Sequence, residues 1–244
     1  MGALPVFNVN QLKQAINDIL LVPNGIEVSF MSNLCIGLVL VAITAVVILG
    51  GLNRISKTAE KLVPSMVIIY FVAGVFILFA YRSEVPKYLM LMITDAFDAN
   101  YFKKEEFLGG VLGGLILLGI RRGAFSNEAG IGTAPMAHGA SKTSEPVREG
   151  LVAMLGPAID TLFVCTLTAL AILVTGVWQS SDANGVSLTA MAFNDAIPGI
   201  GKYVLLLCIA TFSISSLFTY SYYGTKCMSF LFGDHNKHYY NYFC

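Results

Sequence analysis

The side chains best suited to hold a ligand are concentrated in one stretch, Gly119 to Pro135, which reads Gly-Ile-Arg-Arg-Gly-Ala-Phe-Ser-Asn-Glu-Ala-Gly-Ile-Gly-Thr-Ala-Pro. It follows an apolar run, Phe107 to Leu118, and brings two arginines, a serine, an asparagine and a glutamate into it. A helix that enters a bilayer and then becomes this polar and this rich in glycine reads as broken. Broken backbone at membrane depth is tolerated only where it is buried in protein or lines a cavity. The chemistry on offer is binding. Glycine permits the positive φ values that unwinding needs. Freed N–H groups can hold a carboxylate, and freed carbonyls can coordinate a cation. Ser126 and Asn127 add side-chain donors and acceptors, Phe125 can wall off an apolar part of a solute, and Glu128 can pair with Arg121 or Arg122. A polar loop between two complete spans is the competing reading, and the arginine pair supports it. The absence of lysine, and apolar flanks too short to cross a bilayer alone, favour the broken helix.

Two other places carry polar groups inside apolar sequence. Asp160, beside Thr161, sits mid-span, where a charge costs roughly 3 kcal/mol on insertion scales. It therefore needs a partner or a proton, either as part of an ion path or as a structural hydrogen bond between helices. The segment Gly201–Tyr223 holds Thr211, Ser213, Ser215, Ser216, Thr219 and Ser221. Such hydroxyls can ligate a hard cation, or bond back to their own helix. His138, His235 and His238 show no metal spacing, and neither do Cys35, Cys165, Cys208, Cys227 and Cys244, so no transition-metal site is expected. No GxSxG, HExxH or Walker pattern is present, and no enzyme activity is expected.

The elements that must position these groups are membrane helices. Of 244 residues, 56% are hydrophobic and 12% charged, against about 25% charged in soluble domains, and the mean hydropathy is +0.71. The formal net charge is zero, which gives no basic patch for nucleic acid. Residues 1–32 read as an external or surface lead-in with an amphipathic stretch at Leu12, Ile16, Ile19 and Leu20. Residues 33–224 read as the membrane core, with uncharged spans at 33–52 and 62–81. A glycine-rich half-helix starts at Phe107, within a broken span 107–140. A kinked span covers 150–177, and a last span covers 201–223. Met90–Phe97 reads as a short interfacial helix. Basic residues fall in 53–61, 141–149 and 225–244, and none in 179–199, which places the first three segments, including a tail 225–244, in the cytoplasm, although the loop 82–106 carries four basic and five acidic residues and blurs the rule.

The long Gly119–Pro135 motif resembles the signature of the alanine or glycine:cation symporter family, the sodium:alanine symporters. Further resemblance lies in Glu145–Leu151, Asp160–Thr166, Gly51–Ile55 with Val63-Pro64, and Ser221–Gly224. The resemblance implies an all-α membrane protein, a partial chain of a leucine-transporter-type inverted-repeat fold, whose five spans correspond to the fourth to eighth helices. It implies sodium-coupled symport of alanine or glycine across the plasma membrane, in a bacterium the inner membrane. The implied partners are the amino acid, sodium and the lipid bilayer, with no cofactor beyond the coupling ion. By the same resemblance Gly123, Phe125, Ser126, Asn127, Gly130 and Tyr220 face the solute, and Phe212, Ser215 and Ser216 hold sodium. Tyr220 stands where the family usually has tryptophan, and Glu149 and Glu145 where glutamine and histidine are usual. The alternative is a truncated membrane fragment with a structural role and no transport.

Overall fold

The computed structural model describes residues 3–48, 52–96, 112–128 and 130–233. Among them every regular element is helical. In chain order these are α1 (Ala3–Ile16), continued by a π-turn (Asn17–Leu21), α2 (Phe30–Ile48), α3 (Leu52–Ala80), α4 (Val85–Ala96), α5 (Leu112–Asn127) and α6 (Ala134–His138). There follow α7 (Pro146–Ile159), a second π-turn (Asp160–Cys165), α8 (Thr166–Thr175), α9 (Val177–Ser180), α10 (Val186–Ala196) and α11 (Gly201–Phe232). Four segments are long and apolar enough to cross a membrane: Phe30–Ile48, Lys57–Ala80, Pro146–Thr175 and Gly201–Phe232. Their apolar side chains, such as Leu38, Val41, Ile68, Val72, Leu155 and Leu162, point outward and are exposed. In water such surface would associate, whereas lipid or further helices satisfy it. The protein is a membrane protein.

The chain divides into two compact units, residues 1–80 with 175–244, and residues 81–174. The first is organised around α11, which packs against α1, α2, α3 and α10. Its core holds Leu12, Ala15, Ile19, Ile77, Phe193, Leu205 and Phe218. Gly201 is buried there because a Cβ would lie 1.9 Å from the Phe193 carbonyl oxygen, so any side chain would force the start of α11 away from α10.

The amphipathic stretch near the N-terminus lies on α1 and the π-turn that continues it. Its apolar positions do fall on one helical face, but that face packs on α10 and α11. Polar groups add hydrogen bonds from this stretch to α2, α10 and α11. Ser213 Oγ donates to the Asn8 carbonyl at 3.2 Å, Gln14 Nε2 to Ser187 Oγ at 3.0 Å, and Asn17 Nδ2 to Asn33 Oδ1 at 3.1 Å.

Three helices differ in their ends from the sequence expectation. The helix that holds Pro64 begins at Leu52, so the proline sits inside it and not in its first turn. The last span continues past Tyr223 to Phe232, and within it Thr225 Oγ1 donates to the Ser221 carbonyl at 2.9 Å. The interfacial helix expected at 90–97 is longer and earlier, Val85–Ala96, with Phe97 outside the described residues. The second unit holds α4 to α8, and in it α5 lies against the second π-turn and α6 against α7.

Candidate solute and cation site

The break in the third apolar segment is real but shorter than its glycines suggest. Gly119 and Gly123 lie within α5, and the helix holds through Asn127. Glu128 and residues 130–133 lie outside regular helix. Glu128 takes φ 55, Gly130 φ 81 and Gly132 φ 87, all in the left-handed region, and α6 then starts at Ala134 with Pro135 in its first turn. Arg121 and Arg122 are helical and exposed, on α5 and not in a loop. The second half of the break is a helix of only five residues. The glycines at 109 and 110, Phe107 and Ala129 lie outside the described residues, and so does the Phe125 side chain.

At the end of α5 two neighbouring side chains reach the next span. Ser126 Oγ donates to Asp160 Oδ2 at 2.6 Å, and Asn127 Nδ2 donates to Thr161 Oγ1 at 3.2 Å. The two pairs are each consecutive in sequence and 34 residues apart, so they tie the last turn of α5 to one turn of the partner helix. That turn is the π-turn Asp160–Cys165. Pro157, inside the last turn of α7, has no N–H to give to the regular ladder. The wider turn that follows shifts helical bonds to longer spacing, a local geometry frequent at functional sites. Thr166 Oγ1 bonds the Thr161 carbonyl at 3.4 Å, and Thr168 Oγ1 the Val164 carbonyl at 2.7 Å.

Thr133, which closes the break, is 1% exposed and its hydroxyl has no hydrogen-bond partner among the described residues. Beyond α6, His138 Nδ1 lies 2.7 Å from Glu149 Oε1, which fastens the short helix to the start of α7. No role for His138 is expected from the sequence, and its contact, 11 residues away, is not legible from spacing.

The remaining candidates lie on α11, in the first unit. Ser215 is buried and its Oγ donates to the Phe212 carbonyl at 2.9 Å, while Thr219 Oγ1 donates to the Ser215 carbonyl at 3.0 Å. These hydroxyls bond back to their own helix, as one of the two sequence readings held. The lone pairs of Ser215 Oγ stay available to a cation. Ser216 is half-buried, and Tyr220 is buried edge-on to Tyr223 with ring centroids 5.8 Å apart. The structure thus joins Ser126 and Asn127 to Asp160 and Thr161 in one unit, and holds Phe212, Ser215, Ser216 and Tyr220 on one helix of the other.

A family model described as the sodium:alanine symporter family matches residues 1–244. The chain belongs to this family. Within it, the chain is 34% identical over 234 residues to the uncharacterized transporter YflA of Bacillus subtilis, covering 93% of this chain and 50% of that protein. It is 35% identical over 240 residues to the sodium/alanine symporter AgcS of Methanococcus maripaludis, covering 95% and 50% respectively. A third relative, the probable sodium/glutamine symporter GlnT of Bacillus subtilis, is 34% identical over 206 residues, covering 84% and 42%. The chain spans about half the length of the curated relatives it matches.

Proposed function

We propose that this chain is the central part of a sodium-coupled symporter for a small neutral amino acid, alanine or glycine, in the plasma membrane of a bacterium. The observation that carries the reading is membership of the sodium:alanine symporter family along the whole chain. A relative named as a sodium/alanine symporter, similar over 95% of this chain, supports it. A broken third segment, with a positive-φ turn between two helical pieces, fits a leucine-transporter-type arrangement in which an unwound helix holds the solute near the bilayer midplane. In this reading Gly123, Phe125, Ser126, Asn127 and Gly130 serve the solute from α5 and the turn after it. Tyr220 serves it from α11, and Phe212, Ser215 and Ser216 hold sodium.

Accumulation of the amino acid would draw on the sodium gradient as one bundle of helices rocks against another around the bound pair. The test is uptake of labelled alanine and glycine by the natural protein in proteoliposomes. Saturable uptake that collapses when sodium is replaced by choline is expected. Uptake indifferent to sodium, or no saturable uptake of either amino acid, would overturn the reading. The second outcome is what a purely structural fragment predicts.

A further inference from the structure

His138 and Glu149 meet across the connection between α6 and α7, with Nδ1 2.7 Å from Oε1. Their side chains are 36% and 24% exposed, so solvent screens the contact only in part. α6 is five residues long, and a helix that short has no stability of its own in water. It keeps its place by packing, and it packs on α7. Upstream, the turn with Gly130 and Gly132 at positive φ gives it a pliable link to α5. The other charged groups on the connection and the first turn of α7 are Lys142, Glu145 and Arg148, all exposed. Arg148 and Glu145 lie 3.9 Å apart at 78% and 65% exposure, a surface contact of little strength. Among the described residues no lysine or arginine forms an ion pair with Glu149, and no second carboxylate pairs with His138. Each is thus the other's titratable partner.

An imidazole changes its charge between about pH 5 and 8. When neutral it donates from Nδ1 in only one of its two tautomers. When protonated it donates from both nitrogens and carries a charge opposite to the carboxylate. A charge-assisted bond is roughly twice as strong as a neutral one. The contact therefore tightens as pH falls through the imidazole range and slackens as pH rises, while a carboxylate, ordinarily ionised above about pH 5, keeps its charge. We propose that His138 and Glu149 form a pH-responsive latch, which pins the second half of the broken segment to the start of α7 in acid. Lys142 and Arg148 put that end of α7 on the cytoplasmic side by the positive-inside rule, so the latch reads cytoplasmic pH. Its consequence for transport rests on the symporter reading. α6 follows directly on the turn proposed to hold the solute, and a pinned α6 slows the rearrangement that frees the solute inward. Acidification of the cell interior would thereby throttle import.

The test puts a nitroxide spin label on Ala137→Cys, an exposed position of α6, in the purified natural protein in lipid nanodiscs, with its reactive native cysteines replaced. Label mobility is read by electron paramagnetic resonance from pH 8 to pH 5.5. The immobilised fraction is expected to rise about twofold or more as pH falls, with its midpoint in the imidazole range. His138→Gln and Glu149→Gln, introduced singly, are each expected to abolish the rise. Both keep hydrogen-bonding groups of similar size, and either one guards against the other failing to fold. A signal flat with pH in the unmutated pair, or a rise that persists in either variant, would overturn the proposal. In proteoliposomes, sodium-driven alanine uptake is expected to slow about twofold when the solution on the cytoplasmic face goes from pH 8 to pH 5.5, and not to slow in Glu149→Gln. Equal slowing in both would overturn the latch's role in transport. No saturable uptake at either pH would sink the symporter reading, and the spin-label result would still decide the latch.

Discussion

Thr133 carries a hydroxyl that is closed off from solvent and bonded to nothing among the described residues. An orphaned buried hydroxyl destabilises by about 1–3 kcal/mol. Replacement by valine, nearly the same shape without the polar group, is therefore expected to raise the melting midpoint of the purified protein. A fall in that midpoint would mean that the hydroxyl has a partner. Ser126 and Asn127 pose the opposite case, since both are engaged. Ser126→Ala removes the donor to Asp160 and leaves a membrane carboxylate without its 2.6 Å bond. Breaking a charge-assisted bond costs about 1.5–3 kcal/mol. Lower thermal stability and a raised KM for sodium in uptake assays are expected, and unchanged values for both would show that the bond does neither job. At this scale the sequence exposed the polar residues in their apolar surroundings. It did not show that the pair at 126–127 meets the pair at 160–161, because spacing of 34 residues carries no period that a helix would repeat.

The elements add a test of where the helix breaks. Gly132 takes φ 87 and a Cβ there would meet nothing within 4 Å, so Gly132→Ala is opposed by backbone strain alone, about 1–2 kcal/mol. Gly123 lies inside α5 with the same free space but no positive φ, and there alanine should stabilise by about 0.5–1 kcal/mol. Thermal melting of the two variants should move in opposite directions. Destabilisation by both would place the break further upstream than Glu128. The glycine content of 119–132 signalled a break and blurred its position, since glycine is tolerated within a helix as well as at its end. The N-terminal stretch shows the converse. Its 3.6-residue periodicity marked an amphipathic helix, and such a pattern suits a membrane surface as well as a protein core. In the structure this face packs on α11, and Leu12→Ala, at a site 1% exposed, is expected to cost about 2–5 kcal/mol.

For the whole molecule, the four long apolar helices and the distribution of basic segments predict an orientation across the bilayer that can be probed by chemistry. The loop after α9 lacks lysine and arginine, whereas Lys142 precedes α7 and Arg148 lies in its first turn. Ser181→Cys should therefore react with a membrane-impermeant thiol reagent from outside the cell, and Lys142→Cys only after the membrane is opened, in a background without reactive native cysteines. Reaction of both from outside would reverse the positive-inside assignment. The first unit is built from the two ends of the chain, residues 1–80 and 175–244, and the second from the middle. Hydropathy along a sequence does not reveal such a division, because each helix on its own reads only as apolar.

By itself the sequence determined the class of the protein. A composition of 56% hydrophobic and 12% charged residues leaves few stable arrangements other than helices in lipid, since only internally bonded backbone survives there. It also determined the family, because the long run from Gly119 to Pro135 combines residue types that neither a plain span nor a plain loop requires. Tertiary structure alone decided where that run unwinds and which residues its polar ends meet. Both depend on contacts between segments distant in sequence: Ser126 with Asp160, Asn127 with Thr161, His138 with Glu149, and α1 with α11. Local periodicity shows which residues need partners, and only packing supplies those partners.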